Sequence, residues 1–295
     1  MKPLDWHLVN SPDVEAWPAR LVRARASADA RAIARADWVL RRKRDGRFLA
    51  ALGEGRLHAL VPGLAREPGI ADVLSALGAP AERAGALGHL PLDGLRDRLH
   101  WLGLDEGYGE RTGLALFAEP CRLEYAGLDR YRRVLWLLAP AARAWRRMQA
   151  AALADGIALQ AISGYRSHDY QLGIFERKLA RGLSVPEILT VNAAPGYSEH
   201  HGGVALDIGA PGQPPAEESF EATPAFAWLQ RRAGGFGFRM SYPRQPARHH
   251  LRTLALALAS GGLSRRGQSC DRFTGVFDGA ASSAMRHRYR PASVR

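Results

Sequence analysis

An imidazole and a carboxylate that could share a metal ion stand close together in the second half of the chain. His200 and Asp207 are seven residues apart, and Gly202 and Gly203 between them let the backbone turn before the apolar run that carries Asp207. Nitrogen and oxygen donors of this kind suit zinc, which keeps one position open for water in catalytic sites. Two ligands do not hold a zinc ion, so the chain must supply a third.

The elements that must position these ligands are two short strands, a loop and a helix. Alternating side chains predict a strand over 157–163, and the sequence SGYRS at 163–167 is the loop at its end. A helix is predicted over 169–181 and a short strand over 204–208. Arg166 in the loop carries a planar fork of donors, which suits a carboxylate or the oxyanion formed when water attacks an amide.

Two motifs of the chain resemble those of a known family. SGYRS followed by Gln171, and PGYSEHHGGVALD at 195–207, are similar to SGYRS-x3-Q and PG-x-SEH-x2-G-x-A-x-D. These patterns belong to the zinc D-alanyl-D-alanine carboxypeptidases and dipeptidases, the LAS-type metallopeptidases of peptidoglycan. The resemblance covers roughly Cys121 to Arg244.

The resemblance implies zinc-dependent hydrolysis of the bond before a terminal D-alanine. It implies that His200 and Asp207 are metal ligands, that zinc polarises the amide carbonyl and activates water, and that Arg166 is catalytic because it stabilises the oxyanion. Three further residues are expected on the substrate side, two as hydrogen-bonding groups and the last as a brace of the loop: Ser198, Tyr197 and Gln171.

The third motif of the family, E-P-W-H-x-R, does not occur in the chain. In the family its histidine is the third ligand, and its glutamate, three residues earlier, is the general base. After Arg244 the chain has His249 and His250, which could coordinate zinc. The residues three positions before them are Pro246 and Ala247, and neither can move a proton.

A change of reading frame would explain the missing motif. A one-base shift over 251–257, with suitable synonymous codons, reads tyrosine, glutamate, proline, tryptophan, histidine, tryptophan, arginine, which puts glutamate at position 252 and histidine at position 255. Residues 245–295 contain nine Arg and two Asp but no Lys or Glu, a composition consistent with an altered frame. We therefore hypothesise a frameshift at or just after Arg244, which leaves the chain as written without its base and third ligand.

The chain is expected to be an α+β protein, with a small antiparallel sheet flanked by helices and a smaller mixed unit before it. Three segments are predicted: an N-terminal unit of unknown role over 1–112, the carboxypeptidase-like core over 113–244, and a basic, disordered tail over 245–295. Within the N-terminal unit, an Ala- and Arg-rich stretch predicts a helix over 19–36, and Asp45-Gly46 predicts a hairpin turn.

Charge and composition bear on partners and location. The net charge is +12, of which the tail supplies +7, and the tail does not interleave basic and aromatic residues as a nucleic-acid platform does. The expected partner is therefore a peptidoglycan peptide or precursor rather than nucleic acid. The first fifteen residues contain no apolar run of a signal peptide or membrane span, which leaves the compartment open between the cell envelope and the cytoplasm.

Two alternatives to the carboxypeptidase remain at this point. One is an endolysin-type peptidase of the same superfamily that cuts between L-alanine and D-glutamate. The other is a non-catalytic module that binds cell-wall peptides through Arg166 and Ser198.

Overall fold

Seven strands form the larger of two antiparallel sheets. The computed structural model describes residues 6–24, 26–79, 88–214, 218–240 and, as backbone, 255–258. The strands of this sheet are β1 (His7–Asn10), β2 (Val14–Pro18), β3 (Trp38–Arg42), β4 (Phe48–Gly53), β5 (Arg56–Ala59), β6 (Arg122–Leu128) and β7 (Val134–Leu137). Their order across the sheet is β5-β4-β3-β2-β1-β6-β7.

Four strands form the second sheet, which carries the predicted ligand Asp207. They are β8 (Gln160–Ser163), β9 (Ala205–Gly209), β10 (Phe238–Met240) and β11 (Ala255–Leu258). Their order is β10-β11-β9-β8, and the neighbouring strands are antiparallel.

Eight α-helices accompany the sheets in the part of the chain that the structure describes. They are α1 (Ser27–Ala34), α2 (Ile70–Gly78), α3 (Leu95–Trp101), α4 (Tyr108–Thr112), α5 (Ala139–Ala154), α6 (His168–Leu179), α7 (Val185–Leu189) and α8 (Pro224–Arg232). Antiparallel sheets with separate helices confirm the α+β class. None of the helices described is both long and apolar enough to cross a bilayer.

The prediction of one helix over 19–36 is wrong in its first part. Residues Ala19–Leu21 form a single 3₁₀ turn, and α1 begins only at Ser27. The cause is a long-range contact: the amide of Ala19 donates to the carbonyl of Asp37, so the chain leaving β2 stays attached to the neighbouring strand. The hairpin predicted at Asp45-Gly46 is confirmed by the pairing of β3 with β4.

The larger sheet crosses the predicted boundary between residues 112 and 113. Strand β1 pairs with β6, with His7 opposite Glu124 and Leu8 opposite Leu123. Residues up to Ala259 accordingly form one compact unit. A separate role for residues 1–112 stays a prediction.

The predicted tail falls mostly outside the described residues. Its described part, Ala255–Leu258, is strand β11, which lies between β10 and β9. These four residues therefore do not fit the expected disorder, and the expectation for the rest of 245–295 stays a prediction.

Helix α5 forms the core between the sheets. Trp145 and Met148 on this helix are fully buried, and they belong to one apolar cluster with Leu206 and Ile208 of β9. The 3.6-residue spacing of the apolar residues predicts this buried face, and Pro140 in the first turn fits the start of the helix. Strand β9 is thus anchored on one face by the core while Asp207 lies among polar groups.

Candidate active site

The loop that carries Arg166 is held between β7 and α6. A Cβ on Gly164 would lie 2.7 Å from Cδ1 of Leu135, so a larger residue there would push the loop away from β7. The amide of Tyr165 donates to the carbonyl of Trp136 at 3.0 Å. The hydroxyl of Ser167 caps α6 by accepting from the amide of Tyr170. Arg166 therefore stands between two fixed points of the fold.

The turn that carries His200 is a 3₁₀ helix over Glu199–Gly202. It ends at Gly203, whose φ of +68° lies in the left-handed region that favours glycine. A Cβ at this position would also lie 2.6 Å from Cδ2 of Leu123. Gly203 thus serves the turn, which brings the chain from His200 into β9.

The three predicted groups meet in one buried cluster. Nη2 of Arg166 donates to Oδ2 of Asp207 at 2.9 Å, and Nε2 of His200 lies 3.1 Å from Oδ1 of the same carboxylate. The backbone amide of Arg166 also donates to the carbonyl of His200 at 3.2 Å. The sequence motifs therefore predicted a real spatial cluster, although the roles of its members stay predictions.

The proton on His200 can be placed from its hydrogen bonds. Nδ1 lies 2.7 Å from the carbonyl oxygen of Gly164, which only accepts, so Nδ1 carries a proton. The other ring nitrogen, Nε2, faces Oδ1 of Asp207 at 3.1 Å, and either a proton or a metal ion can bridge these two atoms.

The pair also fits part of a zinc site. A tetrahedral zinc ion with bonds of about 2.0–2.1 Å holds two donors roughly 3.3–3.4 Å apart, close to the 3.1 Å between Nε2 of His200 and Oδ1 of Asp207. The bond from His200 to the Gly164 carbonyl is the kind of outer contact that fixes a ligating imidazole. Donor types and spacing both suit zinc.

The carboxyl of Asp207 is held in its charged form. Burial by itself raises the pKa of Asp207, but the charges of His200 and Arg166 and the hydrogen bond from His200 outweigh burial and keep the pKa below its ordinary value. A carboxylate that stays ionised is available to a cation at neutral pH.

A third ligand is not found among the described residues, which contain no group of three or more His, Cys, Asp or Glu suited to a metal. His249 and His250 lie outside the described residues. The register of the second sheet offers a position, because Ala255 of β11 stands directly opposite Asp207. Residue 255 is where the shifted reading frame has histidine.

The three predicted substrate-side residues are all buried. Tyr197 packs edge-on against Tyr108 of α4, with 4.9 Å between ring centroids. Gln171 on α6 donates from Nε2 to the carbonyl of Ala193 at 2.8 Å, in the segment before the second motif. Ser198 is the residue before the 3₁₀ helix, and its carbonyl accepts from the amide of His201. Their contact with a substrate stays a prediction.

Sequence reasoning missed the support provided by His201. Its Nδ1 lies 2.6 Å from the carbonyl of Arg166, so this nitrogen donates and fixes the loop. Burial, and then the charge of nearby His168, lower the pKa of His201 well below its ordinary value, so the ring is neutral. The doubled histidine at 200–201 was the available signal, because one ring of such a pair can serve as a ligand and the other as a brace.

A second missed group is the buried carboxylate of Glu119. Nζ of Lys43 donates to its Oε2 at 2.6 Å, and the hydroxyl of Tyr165 donates to the same oxygen at 2.5 Å. Burial alone raises the pKa of Glu119, but Lys43 and His168 and these hydrogen bonds lower it far below the ordinary value. Lysine occurs at only three positions of the chain against 38 arginines, and this compact cation was the one sequence signal.

The pKa shift of Glu119 predicts a loss of stability in acid. An unfolded glutamate has a pKa of about 4.3, above that of Glu119 in the folded chain. The stabilisation is therefore complete above the unfolded value and is lost as the pH falls toward the folded one. We expect the thermal midpoint to fall more steeply between roughly pH 5 and pH 3 in the unchanged chain than in Lys43→Met/Glu119→Gln. Parallel melting curves would contradict this expectation.

Comparison with known proteins adds a family to this geometry. Residues 135–252 match the model of a family described as VanY, D-alanyl-D-alanine carboxypeptidase. YodJ of Bacillus subtilis (strain 168), which is named as a candidate carboxypeptidase, is 36% identical over 105 residues, or 35% of this chain and 38% of that protein. The chain thus spans less than two fifths of the length of this curated relative.

Solved structures resemble less than half of the chain. The LD-carboxypeptidase LdcB is 31% identical over 42% of this chain and 59% of its own, with a TM-score of 0.39. VanYB in complex with D-Ala-D-Ala is 24% identical over 46% of this chain and 76% of its own, with a TM-score of 0.36. DacB from Streptococcus pneumoniae D39 is 18% identical over 47% and 81%, with a TM-score of 0.35. By the family match and by its two motifs, residues 135–252 of this chain are similar to the D-alanyl-D-alanine carboxypeptidase family.

Proposed function

We propose that this chain is built as a zinc carboxypeptidase that removes the terminal D-alanine from D-Ala-D-Ala peptides of peptidoglycan. The observation that carries the proposal is the buried cluster in which Arg166 and His200 both contact the carboxylate of Asp207. The description of the matched family supports the substrate, and the donor set supports the metal.

Each residue of the cluster has a chemical task in this reaction. Zinc, held by His200 and Asp207, would polarise the scissile carbonyl and make water a better nucleophile at neutral pH. Arg166 donates hydrogen bonds to the oxygen on which negative charge develops. Its Nε is buried and has no partner among the described residues, so one donor of the fork remains for a further acceptor.

We infer that the chain as written lacks part of this machinery. Position 255 pairs with the predicted ligand Asp207 in the register of β11 and β9, but it is an alanine. The frameshift hypothesis gives this position a histidine, and the strand register supports that hypothesis independently of the codon argument.

Zinc titration tests the metal part of the proposal. We expect the chain to bind zinc weakly, and His200→Ala and Asp207→Asn each to reduce the affinity by at least about tenfold, because each removes one of two ligands. A competing chromophoric chelator measures the affinity without any need for activity. His100→Ala, at an exposed position of α3, is the matched control. Equal affinities of the chain and both ligand variants would refute the assignment.

A further inference from the structure

The carboxylate of Glu119 joins strands β1–β3 of the larger sheet to the loop that carries Arg166. From the N-terminal part, Nζ of Lys43 donates to Oε2 at 2.6 Å and Nδ2 of Asn10 lies 3.3 Å from the same oxygen. From the loop, the hydroxyl of Tyr165 donates to Oε2 at 2.5 Å and the amide of His168 donates to Oε1 at 2.8 Å. One buried anion thus receives donors from two distant parts of the chain.

Contacts with the β1–β2 turn fix Lys43, the cation of this network. Lys43 follows the last residue of β3, and its side chain is 1% exposed. Its Nζ also donates to the carbonyl of Ser11 at 3.0 Å, and its backbone amide donates to the carbonyl of Asp13 at 2.9 Å. The ammonium group is therefore held from the β1–β2 turn on one side and directed at Glu119 on the other.

The loop groups that bind Glu119 stand on both sides of Arg166. Tyr165 precedes it and His168 follows it by two residues. Asn10 also donates to the hydroxyl oxygen of Tyr165 at 2.9 Å. A displacement of the carboxylate would release both contacts together, and the guanidinium of Arg166 is the charged group between them.

We propose that Lys43 and Glu119 are positioning residues for Arg166, and that strands β1–β3 of the larger sheet therefore support the loop that carries Arg166. The part of this proposal that concerns catalysis rests on the proposed function. The part that concerns the loop rests only on the hydrogen bonds of the network.

Amide hydrogen exchange on the full chain tests the inference. Lys43→Met leaves a buried carboxylate without its cation, and we expect the amides of 165–168 to exchange about tenfold faster relative to those of β9. Adding Glu119→Gln removes the unpaired charge and keeps an acceptor for the His168 amide, so we expect the double variant to regain most of the protection. Tyr165→Phe removes the two hydrogen bonds of the hydroxyl, to Glu119 and from Asn10, and leaves the ion pair intact, and we expect about threefold faster exchange. This variant keeps the test open if Lys43→Met fails to fold.

Arg42→Met is the matched control. Arg42 is the neighbouring residue on β3, and its ion pairs with Asp45 and Glu67 do not involve the loop. Faster exchange of 165–168 in Lys43→Met and Tyr165→Phe but not in Arg42→Met supports the proposal. It is overturned if the loop exchanges at the unchanged rate in both network variants, if Arg42→Met has the same effect, or if the double variant exchanges as fast as Lys43→Met.

A kinetic measurement separates this inference from the proposed function. In a chain whose reading frame is restored after Arg244, Lys43→Met is expected to lower kcat by about tenfold and leave KM within about twofold, because Arg166 acts on the transition state. A restored chain that cleaves no D-Ala-D-Ala peptide would refute the proposed function and leave the exchange result as the test of the support. If the restored chain is active and Lys43→Met does not change its kcat, the positioning role of Lys43 is refuted and the proposed function is not.

Discussion

A chain whose reading frame is restored after Arg244 is expected to hydrolyse D-Ala-D-Ala peptides at least about 10²–10⁴-fold faster than the chain as written, the range contributed by one general base. The restored frame supplies a glutamate at position 252 and a histidine at position 255, and the latter position stands opposite Asp207. Release of D-alanine from a D-Ala-D-Ala peptide measures the rate. Zinc content, measured on the same samples, should rise toward one ion per chain.

The control is a restored chain with glutamine in place of the glutamate at position 252, which should keep zinc and lose most of the rate. Equal rates of the written and restored chains would contradict the frameshift hypothesis. Tight peptide binding without hydrolysis in both chains would favour the non-catalytic module instead. The nucleotide sequence around the codon of Arg244 checks the same hypothesis directly, because codons that cannot encode the glutamate and histidine in the shifted frame would exclude it.

Replacing Arg166 by methionine in the restored chain is expected to lower kcat by about 10²–10³-fold, the effect of removing one donor to a developing oxyanion. Arg166→Lys is expected to recover little of the rate, because a lysine ammonium does not reproduce the planar fork that donates to Asp207 and to a substrate oxygen. Steady-state kinetics with zinc content determined on each variant checks this expectation.

Zinc content matters for this prediction because Arg166 also contacts a predicted ligand. A fall in kcat at unchanged zinc content assigns the effect to the transition state, whereas loss of zinc would assign it to the support of Asp207. Arg147→Met, at an exposed position of α5, is the control for the loss of a positive charge. An unchanged kcat in Arg166→Met would remove Arg166 from the mechanism.

The parts of the site that could be predicted from sequence are those encoded locally. The spacing from His200 to Asp207, the glycines between them and the loop ahead of α6 are all short-range patterns, and they gave the cluster that the structure contains. The periodic apolar face of α5 likewise follows from adjacent turns of one helix.

The parts that could not be predicted depend on contacts between distant residues. The pairing of β1 with β6 joins segments more than one hundred residues apart, and the sequence of neither strand indicates which strand it pairs with. The same is true of Lys43 and Glu119, which a sequence reader has no reason to connect. Tyr197 could not be assigned for a different reason. Its aromatic ring would suit either a binding site or a packed core, and the structure packs it against Tyr108.

The location of β11 has a consequence for how such a gene could persist. A one-base shift changes the side chains after it but not the number of residues between Arg244 and position 255, and every residue except proline offers the same backbone N–H and C=O groups for strand pairing. The segment Ala255–Leu258 accordingly still fills the gap between β10 and β9. A lesion of this kind would remove the glutamate and the histidine while keeping the strand, and a compensating base between the codons of residues 244 and 252 would restore both residues.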